Sequence, residues 1–479
     1  MDLAHTKRQT ISVGVPIGIV FVVVLLVALF SANPVLSLGV VVSGVAVAVL
    51  LWRGHEPMGM LYAMGFHWLQ ASMPVIAANF SGLALSGNEY DVAIAPAIWL
   101  SLGGTVAVAA GLRLGAGKAA STWDVNSVIE IMAEISPRKL FLATLLAIAF
   151  YQVILRLAYV LPGLTQPLLA FGLARWSLVL MLAYVVMARG VGYGYLITIV
   201  VVEAALGFLG FFSDFKSVFV VVAIGALTAP TRRAGAKVWT LVGVMVIVLG
   251  LGIVWSGIKN DYRAFLNQGT GQQVVLVDIS ERAEKLSELV SDFDFDRAAA
   301  GTEALTERIG YVDYLAVVME RIPRYYPHEE GRLWGEAVGH ALVPRLINPN
   351  KRIIDDSERT REFTGTDVAG AERGTSISLG YVAETYIDFG VVGMWPALLA
   401  WGVVLGLMYR GLLHWPRYRL LGFVSAPILV ALSASTLEQS NLKMVTAVLL
   451  GFIALGMTTR FVGPAFLAFV MRPLVRRDA

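Results

Sequence analysis

Long apolar runs separated by short basic turns fill this chain on both sides of a single polar stretch, from about Lys259 to Asp388. A bilayer core of about 30 Å is crossed by roughly 20 apolar residues of helix. On that template the sequence predicts spans over 11–31, 35–52, 58–78, 92–112, 140–158, 168–188, 192–212, 217–230, 237–257, 390–409, 420–435 and 443–460. Two of these are short. Pro230 closes 217–230 and Pro427 interrupts 420–435, as in tilted, broken or re-entrant segments. The first span has basic flanks but no small-residue cleavage site before a polar region, so it reads as a retained helix. The expected fold is an all-α polytopic integral membrane protein with about 12 transmembrane helices and one large, mainly helical periplasmic loop. Residues 1–258 hold about nine spans, 259–388 the loop domain, and 389–479 about three more.

Within the loop, Ile279, Ala283, Leu286 and Val290 recur at helical spacing, as do Leu305, Ile309, Val312, Ala316 and Met319 until Pro323. Asp292 to Asp296 alternates acid and Phe and reads as a connection. Pro344 to Arg373 has no apolar period and is expected to be an irregular, functional loop.

Of 479 residues, 57% are hydrophobic and 15% charged, which suits a chain whose solvent is lipid. The absence of cysteine excludes disulfides, thiolate metal sites and cysteine nucleophiles. His5, His55, His67, His328, His340 and His414 show no paired-ligand spacing, so no metal or other cofactor is expected. Basic residues gather after even-numbered spans: Arg53; Arg113, Lys118, Arg138 and Lys139; Arg189; Arg232, Arg233 and Lys237; Arg410, Arg417 and Arg419; Arg460, Arg472, Arg476 and Arg477. The positive-inside rule sets those turns, and both termini, in the cytoplasm. The loop, with 15 Lys/Arg against 23 Asp/Glu, then lies outside.

Tyr381, Glu384 and Asp388 share one face of the helix that closes the loop and enters span 390–409. Two carboxylates there suit a general base and its partner, or else they are the solvated acids of an amphipathic helix. Arg345, Lys351, Arg352, Arg359, Arg361 and Arg373 interleave with Asp355, Asp356, Glu358 and Glu362. Guanidinium forks suit pyrophosphate oxygens; adjacent acids equally suit surface ion pairs. Charges within spans are costly. Arg156, Arg175 and Glu203 form either a buried pair or a headgroup site. Lys216 either meets an anion or snorkels. Lys443 and Glu438 pair or snorkel, and His67 is a core histidine. Tyr325, Tyr326 and Trp334 either stack on sugar rings or pack the loop.

The layout resembles bacterial Wzy-type O-antigen and exopolysaccharide repeat-unit polymerases. The likeness lies in about a dozen spans with a large external loop before the last few, in the Ser213–Ser217 turn, and in the stretch from Ser376 to Gly393. That stretch is similar to the family's "GE-x-Y-x-NFG-x-x-G" ending, with Ala383 where Gly and Asp388 where Asn is common. The resemblance implies a glycosyltransferase in the bacterial cytoplasmic (inner) membrane that moves a polyprenyl-pyrophosphate-linked glycan onto a polyprenyl-pyrophosphate-linked repeat unit at the periplasmic face. Its partners would be those lipid-linked glycans, membrane lipid, a chain-length regulator and a flippase, and no nucleic acid. Glu384 would be the base with Asp388 in support. Lys216, Arg345, Arg361, Arg373, Arg156, Arg175 and Tyr381 would contact pyrophosphate and glycan. O-antigen ligases share the layout but carry an external His-Asn, whereas His340 precedes Ala341. A transporter or flippase, which alternating access would mark with inverted repeats, and a scaffold are the other classes.

Overall fold

The computed structural model describes residues 23–53, 56–85, 94–117, 130–132, 134–161, 163–210, 214–229, 234–270, 275–343, 348, 351, 355–370, 375–414 and 419–471. Among these the chain is helical and strandless, apart from one isolated bridge between Ile135 and Met471. The helices are α1 (Pro34–Leu51), α2 (Gly59–Phe80), α3 (Ile94–Ala116), α4 (Pro137–Val160), α5 (Thr165–Ala170), α6 (Gly172–Arg189), α7 (Tyr193–Phe208), α8 (Phe215–Thr228) and α9 (Ala234–Leu266). In the polar stretch they are α10 (Ile279–Ser291), α11 (Phe295–Ile309), α12 (Asp313–Arg321), α13 (Arg332–Leu342) and α14 (Asp356–Thr364). α15 (Tyr381–Leu413), α16 (Arg419–Ser433), α17 (Asn441–Met457) and α18 (Gly463–Val470) follow, a π turn at Thr458–Val462 joining the last two.

Seven segments among the described residues are long and apolar enough to cross a membrane: Pro34–Leu51, Ile94–Ala116, Pro137–Ala158, Thr165–Arg189, Val242–Leu266, Tyr381–Leu413 and Asn441–Val470. α7, α8 and α16 are shorter apolar helices. In lipid such runs have to be helical, because each backbone amide must find its partner within the segment. The expected span 11–31 lies mostly outside the described residues; of its described part, 23–31, residues 23–29 are helical. The expected 168–188 is two helices divided at Phe171, and 443–460 runs on through the π turn to Val470.

α3 and α15 run side by side in parallel along a seam of small residues. Gly111 and Gly115 of α3 face Gly402 and Gly406 of α15 so closely that a Cβ built on Gly402 would lie 2.3 Å from Val108 O, and one on Gly111 2.2 Å from Leu399 O. Each helix thus carries a G-x-x-x-G pair, the spacing that lets two backbones meet in a membrane. The described helices form two apolar cores, and the seam lies in the first. One gathers α1–α3, α12–α15 and α17; the other gathers α4, α6–α9 and α18. α16 serves both, giving Ala426, Leu429 and Val430 to the first and Leu421, Val424 and Ile428 to the second.

The basic helix ends are tied to one another. Arg53 donates from Nη2 to Gly117 O (2.7 Å), Tyr409 to Glu56 Oε2 (2.9 Å) and Arg189 to Ile135 O (2.7 Å). The opposite ends meet the polar stretch, where Arg282 donates to Leu209 O (3.1 Å) and Tyr311 N–H to Gln70 O (3.2 Å).

α10 lies where the spacing predicts it. The apolar repeat from Leu305 to Met319 is instead two helices broken at Gly310, and residues of the expected irregular loop 344–373 form α14. Asp355 opens α14 by accepting from Ser357 N–H (2.9 Å), and Asp356, Arg359, Thr360 and Phe363 of this polar helix are buried. Neither expected loop boundary is a helix end: α9 passes residue 258 to reach Leu266, and α15 passes residue 388. α15 does break at Gly390, whose φ of 65° and ψ of −172° are open to glycine alone. His328 fills the notch: a Cβ at 390 would lie 2.9 Å from its Nε2, while its Nδ1 is 3.2 Å from the freed Ile387 O.

Candidate functional site

Tyr381–Phe389, the first turns of α15, carry the predicted carboxylates into the interior. Glu384 is 1% exposed. Its Oε2 accepts from the backbone N–H of Asn441 (2.8 Å), the first residue of α17, so the carboxylate caps that helix. A helix N-terminus offers unpaired N–H groups, and the carboxylate satisfies one of them. The other oxygen, Oε1, stands 3.8 Å from Arg359 Nη1 and has no hydrogen-bond partner among the described residues. Arg359 projects from the buried face of α14, and its Nη2 pairs with Glu336 of α13. Asp356, one turn earlier on α14, accepts through Oδ2 from Lys443 Nζ (2.8 Å) and Ser440 Oγ (3.1 Å). Four elements (α13, α14, α15 and the start of α17) therefore close on one knot of three acids (Glu336, Asp356 and Glu384) and two bases (Arg359 and Lys443), of which Asp356, Glu384 and Arg359 are buried.

Beside the knot lies a cleft of about 820 Å³, lined by Arg332, Glu336, His340, Lys351, Glu358 and Arg359 among others. Arg332 donates to Glu329 (2.6 Å) and to Glu336 (3.1 Å). Glu336 thus receives both Arg332 and Arg359, and Arg359 stands between the cleft and Glu384.

Asp388, one turn beyond Glu384, does something else with its oxygens. Oδ1 accepts from Leu333 N–H (3.0 Å) and Oδ2 from Trp334 N–H (2.9 Å), so it caps α13 from another helix. Removing this cap in Asp388→Ala is expected to cost about 1–2 kcal/mol. Asp388→Asn, which keeps one acceptor, should recover part of that, read as a melting shift in detergent. Equal melting of all three proteins would contradict the capping role.

Tyr381 OH lies 3.1 Å from His67 Nδ1, tying α15 to α2. Arg361 Nη1 donates to Val368 O (2.8 Å), and it is Arg359, two residues earlier, that faces Glu384. Arg175 pairs with Glu203 at 3.0 Å and stacks on Tyr151 (3.9 Å), the buried pair among the two readings of these charges. Lys216 is exposed on the first turn of α8 and Arg156 is exposed on α4, so these three cations sit on helices of the second core, not in the knot. Arg345 and Arg373 lie outside the described residues. Tyr325 and Tyr326 are exposed, whereas the Trp334 indole donates to Thr385 Oγ1 (2.9 Å) and packs on Trp401. Sequence reasoning singled out neither Arg359 nor Asn441. Asp356 and Arg359 at i, i+3 were a legible face of a helix, had a polar helix been expected there; nothing local marks Asn441.

The fold and this site belong to a helical membrane protein with one buried charged knot where a polar segment meets the bundle. The sequence profile of the family described as Domain of unknown function (DUF8712) matches residues 121–411, more than half of the chain, and the chain belongs to that family. The matched region contains Glu336, Asp356, Arg359, Glu384 and Asp388 but not Asn441. No curated protein and no solved structure matches the chain.

Proposed function

We propose that the protein is a glycosyltransferase of the repeat-unit polymerase kind, working at the outer face of a bacterial cytoplasmic membrane on polyprenyl-pyrophosphate-linked glycans. The observation that carries the reading is Glu384: a buried carboxylate with one oxygen held by Asn441 and the other turned to Arg359, next to a large polar cleft. Taken with α2, the three shorter apolar helices and 23–29, the seven long segments make about the dozen spans of such an enzyme. The tied basic ends would face the cytoplasm together with both termini, and the polar stretch would be periplasmic.

In this reading Glu384 Oε1 takes the proton from a hydroxyl of the acceptor repeat unit. The hydroxyl oxygen bonds to the anomeric carbon of the donor glycan. The bond from that carbon to pyrophosphate breaks, and polyprenyl pyrophosphate leaves with the electron pair. Arg359 orients the carboxylate. Lys216, Arg361, Arg345 and Arg373 remain the proposed contacts to the departing pyrophosphate, where developing charge needs cations.

The test is the population of lipid-linked glycans in cells without the protein. Single repeat units facing outward are expected. Units trapped on the inside would replace this reading with a flippase. A second reading, the ligase, draws on His340 lining the cleft. Under it, His340→Ala leaves long polymer unattached to its final carrier; under the polymerase reading that variant makes attached polymer.

A further inference from the structure

Four side chains of the knot hold buried polar atoms that meet no hydrogen-bond partner among the described residues. They are Glu384 Oε1, Asp356 Oδ1, Arg359 Nη1, and both Oδ1 and Nδ2 of Asn441. Glu384 and Asp356 are each 1% exposed and Asn441 is 0% exposed. Buried polar atoms are nearly always paired, and an asparagine amide with neither end engaged is costly, so such a group calls for a role. These atoms are not scattered. The Asn441 backbone holds Glu384, Arg359 faces Glu384, and Asp356 reaches Ser440, the residue before Asn441.

Their chemistry selects a ligand. The knot carries both signs, with Glu384, Asp356 and Glu336 beside Arg359 and Lys443. A phosphate here would meet two carboxylates, and a metal ion would meet a guanidinium and an ammonium; no group of three or more metal-binding side chains occurs among the described residues. The unengaged atoms comprise acceptors on Glu384, Asp356 and Asn441 and donors on Arg359 and Asn441. A hydroxyl group both donates and accepts, so adjacent hydroxyls match such a mixed set as neither ion does.

We propose that the knot is a recognition pocket for a neutral sugar ring, that Asn441 reads two of its hydroxyls, and that pyrophosphate is bound elsewhere. The proposal rests on the glycan-transfer reading for the source of the sugar, but not on the reaction. The approach is from the cleft past Arg359. Glu336, which holds Arg359 and Arg332 together, is the latch on that approach.

The experiment is saturation-transfer NMR on the full chain in detergent, with methyl glycosides of neutral hexoses as probes and inorganic pyrophosphate as competitor. Transfer to at least one glycoside is expected, undiminished by an equal concentration of pyrophosphate. Asn441→Leu should weaken it roughly tenfold, the scale of a lost polar contact in a dry site. If the leucine protein does not fold, Asn441→Asp, which keeps the size and the backbone bond to Glu384, decides by the same loss. No transfer to any glycoside, displacement by pyrophosphate, or unchanged transfer in the asparagine variants overturns the pocket. Transfer that survives while cells lacking the protein still make full-length polymer keeps the pocket and removes the polymerase reading.

Discussion

Glu384→Gln is expected to stop glycan polymerisation while leaving the protein folded, a loss of about 10²- to 10⁴-fold if the carboxylate is the base. The glutamine carbonyl still accepts from Asn441 N–H, so the cap on α17 survives. What disappears is the ability to take a proton at Oε1, together with the negative charge opposite Arg359. Polymer length on gels from cells carrying the variant is the first measurement, and a melting curve in detergent the second. Wild-type polymer from cells making the glutamine protein would remove Glu384 from the chemistry. Loss of polymer accompanied by loss of the folded protein would mean that the carboxylate is structural.

Gly402→Leu should have the largest effect on stability, about 3 kcal/mol or more, because the new side chain meets backbone and not a yielding side chain. Val108 O lies 2.3 Å and Gly111 Cα 3.0 Å from where its Cβ would be. α3 and α15 would have to move apart, and the contacts along both G-x-x-x-G pairs would go with them. Gly65→Leu on α2 is the control, since nothing lies within 4 Å of its Cβ position. Detergent melts of the two variants should differ strongly; similar curves would mean that the seam is dispensable.

The apolar pattern was enough to find the long apolar helices, because in lipid hydrophobicity and helicity are coupled by the need to satisfy the backbone. It was not enough to pair them. G-x-x-x-G stands in plain sight at Gly111–Gly115 and Gly402–Gly406, but only the fold says that these two face each other. In the polar stretch the periodic segment gave α10, whereas α14 stayed hidden: its buried face is Asp356, Arg359, Thr360 and Phe363, and burial by ion pairing leaves no hydrophobic period. For the same reason Glu384 could be chosen from the sequence and its partner could not. Among the described loop cations, Arg359 is the one that α14 turns toward Glu384. Asp388 looked like a second carboxylate of the same kind, since the first N–H it caps, that of Leu333, lies 55 residues earlier in the chain.

The break at Gly390 divides α15 into two bodies with different loyalties. The nine residues from Tyr381 to Phe389 are bonded to α13, α17 and the His328 notch, while the remainder is clamped to α3 by the glycine seam. A continuous helix would fix the direction of its first turns by the packing of its shaft. With the break at 390, the direction of the segment that carries Glu384 is set by α13 and α17, independently of the glycine seam.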